Sequence, residues 1–535
     1  MEPEKENGNV EYKLKLLDKT TERIEGLASQ MRYRCDEGGS ECIYNLGVSD
    51  DGTMVGISDK DFEETIMTLN SAADTNNYTT TLLTTTPTED GRNVYEVLVR
   101  ENNDNSYIDI KVAVAGSVDS GKSSTLSVLT HGKNDDGRGS ARLAIFNFAH
   151  EVKSGRTSSI AHHILGFNSD GNVVNYRKVG KMSWPDIVQE SSKIISFFDL
   201  AGHEKYLKTT ILGLASAYPD LCFITVGANK GILRMTREHI FLCITLKIPF
   251  AILLTKIDMV EKRQNVLQET VATINKILKC PGVRRIPMKV NTHEDVILCA
   301  KNVASESIVP IFHTSNVTGA GIDNVKKFLN LLGRRDKNFD HASKHVEYHV
   351  DSTFTVAGVG TVTGGHLHSG TINVGDKLWL GPRDSKYTKV TVRSIHCKRV
   401  SLQSVKSGSY VCLALNKVNR DSIRRGSVMI SLKSPQLLTK TFTANVTVMK
   451  AHSTTIRLGY EPVVHASSIR QTAKLTAISN KKNGRASTKL VNDNVLRTGD
   501  NADVSFEFTS QPEYLKVGTR ILFVEGRTKV VGVVV

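Results

Sequence analysis

AGSVDSGKSS, residues 115–124, directly follows the apolar alternation of IDIKVAVA and precedes the helix-compatible STLSVLTH. Gly116, four residues, then Gly121, Lys122 and Ser123 satisfy the phosphate-loop pattern, with the strand before and the helix after that it requires. The alternative is an ordinary tight strand-to-helix turn. In a phosphate loop, the backbone from Gly116 through Ser117, Val118, Asp119, Ser120 and Gly121 wraps with its N–H groups inward. A polyphosphate then lies at the helix start, where orphan donors and the helix dipole favour negative charge. Lys122 reaches the β- and γ-phosphates, Ser123 holds Mg²⁺ through its hydroxyl, and Ser124 continues the first turn.

A nucleotide site needs parts from several strand ends, and the chain supplies them in order. After IISFF comes DLAGHEKY: Asp199 closes a strand, where its carboxylate can hold a Mg²⁺-bound water, and Gly202 can offer an N–H to a γ-phosphate. His203 follows next to that phosphate. After AILL comes TKID, in which Asp258 can accept two hydrogen bonds from a guanine edge while the stem of Lys256 lies along the base. After IVPIFH comes TSN, where Ser315 can direct a backbone N–H to the guanine carbonyl and Asn316 adjoins it. By itself TKID reads equally as a capped helix start.

The surrounding chain has the organisation such a site needs. At 535 residues it implies three or four domains. Residues 1–105 combine two helical patterns with a strand pair around the turn in CIYNLGVSDDGTMVGIS and the strand-like YTTTLLTTT and NVYEVLVR, an α+β block. Residues 106–333 alternate strands with helices, the signature of a parallel sheet covered on both faces, an α/β domain. Polar GRRDKNFDHASK then links to short strands and glycine turns, read as two β-barrels over residues 334–435 and 436–535. The fold class is therefore multidomain.

Charge is unevenly shared. Residues 1–105 hold 22 acids and 10 bases, a net of −12, whereas residues 334–535 hold 14 acids and 31 bases, a net of +17. The basic half suits a polyanion such as tRNA or ribosomal RNA, although a solvated basic face has the same composition. The eight cysteines form no C-x-x-C pair, which argues for reduced thiols and against zinc or a disulfide framework. No apolar run is long enough for a membrane span and no signal core opens the chain, so the expectation is a cytoplasmic protein without a membrane partner.

The order GSVDSGKS, RTSSI, DLAGHEKY, TKID, TSN resembles translational GTPases of the elongation factor Tu and elongation factor 1α class. Asp119 in the loop and His203 after DxxG are marks of that class. NDDGRGSARLAIFNFAHEVKSGRTSSIAHHILGF, SDDGTMVGIS and SNVTGAGID further resemble the GTP-binding protein 1/2 family. GVGTVTGGHLHSGTINVGD is similar to the second domain of elongation factors, and GYEPVVHASSIRQTAKL to the third-domain hairpin of elongation factor 1α. The resemblance implies GTP and GDP as ligands, Mg²⁺ as cofactor and His203 as the residue that orients the attacking water. It also implies a monomer that binds tRNA or the ribosome, with RNA-surveillance proteins as the other class of partner. Ser159 aligns with the hydroxyl that completes the Mg²⁺ shell, and Thr157 competes for that assignment. Thr255 stands where most GTPases have Asn; it can offer a hydroxyl, but not an amide to base and phosphate loop together. Ser120 replaces the usual His of elongation factors, as it does in the GTP-binding protein 1/2 family.

Overall fold

The computed structural model describes residues 3–4, 8–102, 107–146, 151, 157, 160–176, 182–280, 283–335, 343–448, 455–482, 494–525 and 528–535. The linker residues 336–342, Ser159 and most of the segment before it lie outside this set.

The acidic block is a four-stranded sheet with two helices on one face. Its elements are β1 (Val10–Lys13), α1 (Thr21–Glu37), β2 (Glu41–Leu46), α2 (Asp59–Thr75), β3 (Tyr78–Pro87) and β4 (Asn93–Glu101). Spatial order is β1-β2-β4-β3, with β1 parallel to β2 and the other pairs antiparallel. Strand alternation sorts the residues: Cys42, Tyr44, Leu46, Val97 and Val99 pack with Leu27, Met31 and Leu69 of the helices. Glu41, Glu96 and Arg100 point to the opposite face. The expected strand pair around SDDG forms only in its first half. The second half makes isolated bridges, Val48 to Met54 and Ile57 to Asn93, because the Val55 and Gly56 amides both turn back to the Gly47 carbonyl.

The second sheet is built from β5 (Ile108–Gly116), β6 (Ala161–Phe167), β7 (Lys193–Asp199), β8 (Leu221–Gly227), β9 (Phe250–Thr255), β10 (Ile286–Val290) and β11 (Ile308–His313). Its order is β10-β11-β9-β8-β5-β7-β6, parallel throughout except for β6 against β7. The five strands read from apolar runs all occur in parallel; the edge strands β6 and β10 are additional. Between strands run α3 (Lys122–His131), α4 (Trp184–Glu190), α5 (Leu207–Ser216), α6 (Arg234–Thr245), α7 (Gln264–Leu278), α8 (His293–Asn302) and α9 (Ile322–Leu331).

The open face of the first sheet is tied to this second one through buried charge. Glu41 accepts from Arg100 (Nη2 at 3.0 Å, Nε at 3.2 Å) and from Lys193 Nζ at 2.9 Å. Both cations also donate to the Asn330 carbonyl at the end of α9, at 3.0 and 2.7 Å. Lys193 begins β7, the strand that ends at Asp199.

Both C-terminal sheets close. In the first, β12 (Glu347–Val356), β13 (Gly360–Ser369), β15 (Lys377–Arg383), β16 (Lys386–Cys397), β19 (Tyr410–Leu415) and β20 (Val428–Ser431) form a ring sealed by the β15–β16 pairing. The short β14 (Thr371–Asn373) and β18 (Ser404–Lys406) pair with each other, and β17 (Val400–Leu402) extends β16. In the second, β21 (Thr441–Val448), β23 (Val463–Ala466), β24 (Ile469–Lys482), β26 (Asn501–Phe508), β27 (Arg520–Glu525) and β28 (Thr528–Val534) form a closed barrel beside the ribbon of β22 (Thr455–Arg457) and β25 (Val495–Arg497). Closure removes the exposed edges that an open sheet would offer for aggregation. All eight cysteines are free thiols, and no helix among the described residues is long and apolar enough to cross a membrane.

Candidate nucleotide site

At the carboxyl end of β5 the chain turns under Gly116. A Cβ there would lie 2.3 Å from the Thr225 hydroxyl and 2.5 Å from its carbonyl, at a φ of 151°, so glycine alone fits. Ser120 locks the loop from within: its hydroxyl lies 2.9 Å from the Ser117 carbonyl and 2.6 Å from Thr225 Oγ1. Val118 and Asp119 form the outer rim, where Asp119 pairs with Lys230 at 3.5 Å. Gly121 begins α3 in the left-handed region, and Ser124 sits in the first turn. Thr225 was not legible as part of this loop, because nothing in LCFITVGA distinguishes it from an ordinary strand residue.

Lys122 is buried and folded back on the loop, donating to the Ser117 carbonyl at 2.8 Å and toward the Gly116 carbonyl at 3.3 Å. Burial lowers its pKa, opposed by the charges of Asp199 and Asp119. An amine in this state gains from an incoming phosphate, which supplies the counter-charge that the carbonyls lack.

Three oxygens converge beside it. Ser123 Oγ donates to Asp199 Oδ2 at 2.7 Å, and Thr157 Oγ1 lies 3.0 Å from Ser123 Oγ and 3.3 Å from Asp199 Oδ2. Burial raises the Asp199 pKa against the opposing pull of Lys122 and the two hydroxyls, and its Oδ1 is buried with no hydrogen-bond partner among the described residues. Such an oxygen-only set with an orphaned carboxylate oxygen fits a hard divalent cation that keeps several waters. Thr157, the alternative to Ser159 in the sequence, thus lies beside Ser123 and Asp199, while Ser159 itself is outside the described residues.

Gly202 closes over the phosphate loop. A Cβ on it would meet Lys122 Nζ at 2.4 Å and the Gly116 carbonyl at 2.6 Å. The chain after Gly202 changes allegiance: residues 203–218 group compactly with the barrels. His203 there caps the next turn, its Nδ1 accepting the Lys205 N–H at 3.1 Å, which leaves the proton of a neutral ring on Nε2.

The two remaining loops lie side by side, with the Ile257 N–H donating to the Thr314 carbonyl at 3.4 Å. Asp258 Oδ1 accepts from Ser315 Oγ at 2.6 Å, and that hydroxyl in turn takes the Val317 and Thr318 amides. The Ser315 N–H goes to the Ala320 carbonyl at 3.0 Å, so it is committed to its own turn and not available to a base. Lys256 is held in the left-handed region with φ of 61°, and burial first, then the charges of Lys230 and Arg142, lowers its pKa against the pull of Asp119 and Asp258. The Thr255 hydroxyl donates to the Ser120 carbonyl at 2.6 Å, tying this loop to the phosphate loop. Asn316 Nδ2 donates to Thr125 Oγ1 at 3.0 Å. One further residue escaped the sequence reading: His239 on α6, fully buried, with a pKa that burial and then the Lys122 charge lower to about 3.

Comparison with known proteins agrees with this arrangement. The chain matches the Elongation factor Tu GTP binding domain over residues 109–339 and Elongation factor Tu domain 2 over residues 360–430. It is 42% identical to GTP-binding protein 1 of Xenopus laevis over 530 residues, covering 98% of this chain and 78% of that protein. It is 41% identical to GTP-binding protein 2 of Homo sapiens over 540 residues, covering 99% and 87%. In fold it is similar to translation elongation factor SelB from Methanococcus maripaludis, with a TM-score of 0.55 and 19% identity over 80% of each chain. Matches of this extent place the protein among the translational GTPases of elongation factor Tu type, which hydrolyse GTP. Within that class, the chain belongs to the GTP-binding protein 1/2 family.

Proposed function

We propose that this GTPase binds a tRNA end or the ribosome when loaded with GTP and releases it on hydrolysis. GTP lies along residues 116–124, with the guanine between the TKID and TSN loops. Lys122 exchanges its two loop carbonyls for β- and γ-phosphate oxygens. Ser123 and Asp199, with Thr157 or Ser159, would hold Mg²⁺, which would supply positive charge against the phosphoryl oxygens. His203 orients the attacking water, with Nδ1 anchored by Lys205 so that Nε2 is the working atom. Loss of the γ-phosphate contact at Gly202 would release the segment that follows it and so change affinity for the cargo.

The observation that supports an RNA cargo is a cleft of about 440 Å³ on the first barrel, lined by Arg393, Lys417 and Arg420 together with Thr355, Gly360 and Asn416. A hollow of this size that sets three cations beside apolar Val359, Leu415 and Val418 suits a nucleotide end, with phosphate on the cations and a base on the apolar wall. The acidic first block favours a second contact with a protein, in RNA surveillance for example, because a net of −12 repels RNA. We place the protein in the cytoplasm, as a monomer. The test is GTP hydrolysis by stopped flow with and without ribosomes. His203→Ala is expected to keep GTP affinity within a few-fold and to lose the stimulated rate; equal stimulation of variant and wild type would remove His203 from the mechanism.

A further inference from the structure

Position 255 leaves the guanine pocket short of an amide. The Thr255 hydroxyl has one proton, spent on the Ser120 carbonyl at 2.6 Å, so nothing from this side chain remains to donate to a base. Next to it, on the neighbouring loop, stands a carboxamide. Asn316 Nδ2 is 3.0 Å from Thr125 Oγ1 and 3.6 Å from where a Cβ on Gly121 would sit, which puts it against both the phosphate loop and the start of α3.

Its hydrogen bonding is incomplete in a telling way. Asn316 is only 7% exposed, yet its Oδ1 is buried with no partner among the described residues. The oxygen and nitrogen of an amide are assigned from their surroundings, and both orientations make one hydrogen bond to Thr125 Oγ1, so a bound base decides between them. Turned over, Oδ1 takes the proton of the Thr125 hydroxyl, and the NH₂ group stands where the partnerless oxygen was. A buried NH₂ then needs an acceptor. The N7/O6 edge of guanine presents acceptors only, whereas adenine places an N6 donor there. Asp258 reads the opposite, donor-bearing edge, as its acceptor-only carboxylate requires. The Ser315 amide is committed to Ala320, so the contribution of this loop to the base falls to Asn316.

We propose that the Asn316 side chain donates to the N7/O6 edge of guanine, with Thr125 holding its Oδ1, and thereby replaces the amide absent at position 255. This assignment rests on the reading of TKID and TSN as the guanine pocket. It makes Asn316 a determinant of nucleotide affinity that acts on GTP and GDP alike, since both present the same base.

Competition against a fluorescent GDP on the full chain tests it, using GDP and 7-deaza-GDP, in which N7 becomes a C–H. Wild type is expected to bind 7-deaza-GDP about tenfold more weakly, the loss of one hydrogen bond to a buried donor. Asn316→Ala, and the same-sized Asn316→Asp, which cannot donate, are expected to bind both nucleotides equally and more weakly than wild type binds GDP. Thr255→Asn added to Asn316→Ala is expected to restore part of the discrimination. Equal binding of the two nucleotides by wild type, or discrimination that survives in Asn316→Asp, would overturn the proposal. Asp258→Asn separates the two levels of the reading: it is expected to shift preference to xanthosine diphosphate. Without that shift the pocket itself is misread; with it, a failure of the 7-deaza comparison falls on Asn316 alone.

Discussion

Glu41→Gln tests the buried tie between the acidic block and the sheet that carries the site. The carboxylate lies between Arg100, 1% exposed, and Lys193, 0% exposed, and accepts at 3.0 and 2.9 Å from them. Glutamine keeps the shape and one acceptor but removes the only negative charge that Arg100 and Lys193 contact as ion pairs among the described residues. Breaking a buried pair while its partner stays buried costs about 3–5 kcal/mol. At roughly 2–4 °C per kcal/mol for a unit of this size, the first thermal transition should fall by about 6–20 °C. Burial lowers the Lys193 pKa to about 8, partly offset by Glu41. A lysine whose folded pKa lies below its unfolded value leaves the unfolded chain holding more protons in between, so stability rises with pH across that window. Without Glu41 the window opens at lower pH, and the deficit of the variant at neutral pH should shrink as pH approaches 9. Thermal melts followed by circular dichroism at several pH values measure both effects. A variant that melts within 1 °C of wild type at neutral pH would refute the claim that this cluster holds the two sheets together.

Two further substitutions probe other parts of the account. His239 has a folded pKa of about 3 against 6.5 when exposed, so its stabilising neutral form is fully present above pH 6.5 and stability falls as pH drops below it. Between neutrality and pH 5 wild type should lose roughly 2 kcal/mol more in urea unfolding than His239→Gln, which does not titrate there. On the second barrel, Arg470 and Lys474 are both exposed on β24, but Lys474 lies directly opposite Glu507 while Arg470 faces His465. Arg470→Glu should therefore flatten the salt dependence of tRNA binding by about 0.7–0.9 of a unit, the slope of one phosphate contact, and Lys474→Glu by less. Equal effects from the two would mean that the Glu507 charge does not screen Lys474.

The phosphate loop was legible because its requirements are local: a strand, two glycines at fixed spacing and a helix start, all within residues 108–131. The five central strands were legible for a related reason, since burial on both faces demands unbroken apolar runs such as IISFF and LCFITV. Edge strands make no such demand, and β1, β6 and β10 passed unnoticed. The half-hairpin after Gly47 was misread because alternation in TMVGIS survives while the backbone turns away. Within the site, sequence could name the loops but not the use of each donor. That the Ser315 amide is spent on Ala320, or that Thr157 reaches Ser123, depends on where a turn closes in space. The Glu41, Arg100 and Lys193 cluster joins residues far apart in the chain, each of which looks like an ordinary surface charge on its own.

The claim at the centre of this account is that nucleotide state governs RNA binding by the barrels. A filter-binding titration with aminoacylated and uncharged tRNA, in the presence of a non-hydrolysable GTP analogue or GDP and across a salt series, measures it directly. Coupling between the two sites predicts affinity about 5–150-fold higher with the GTP analogue, falling linearly in the logarithm of salt. Identical affinity in both nucleotide states would contradict it.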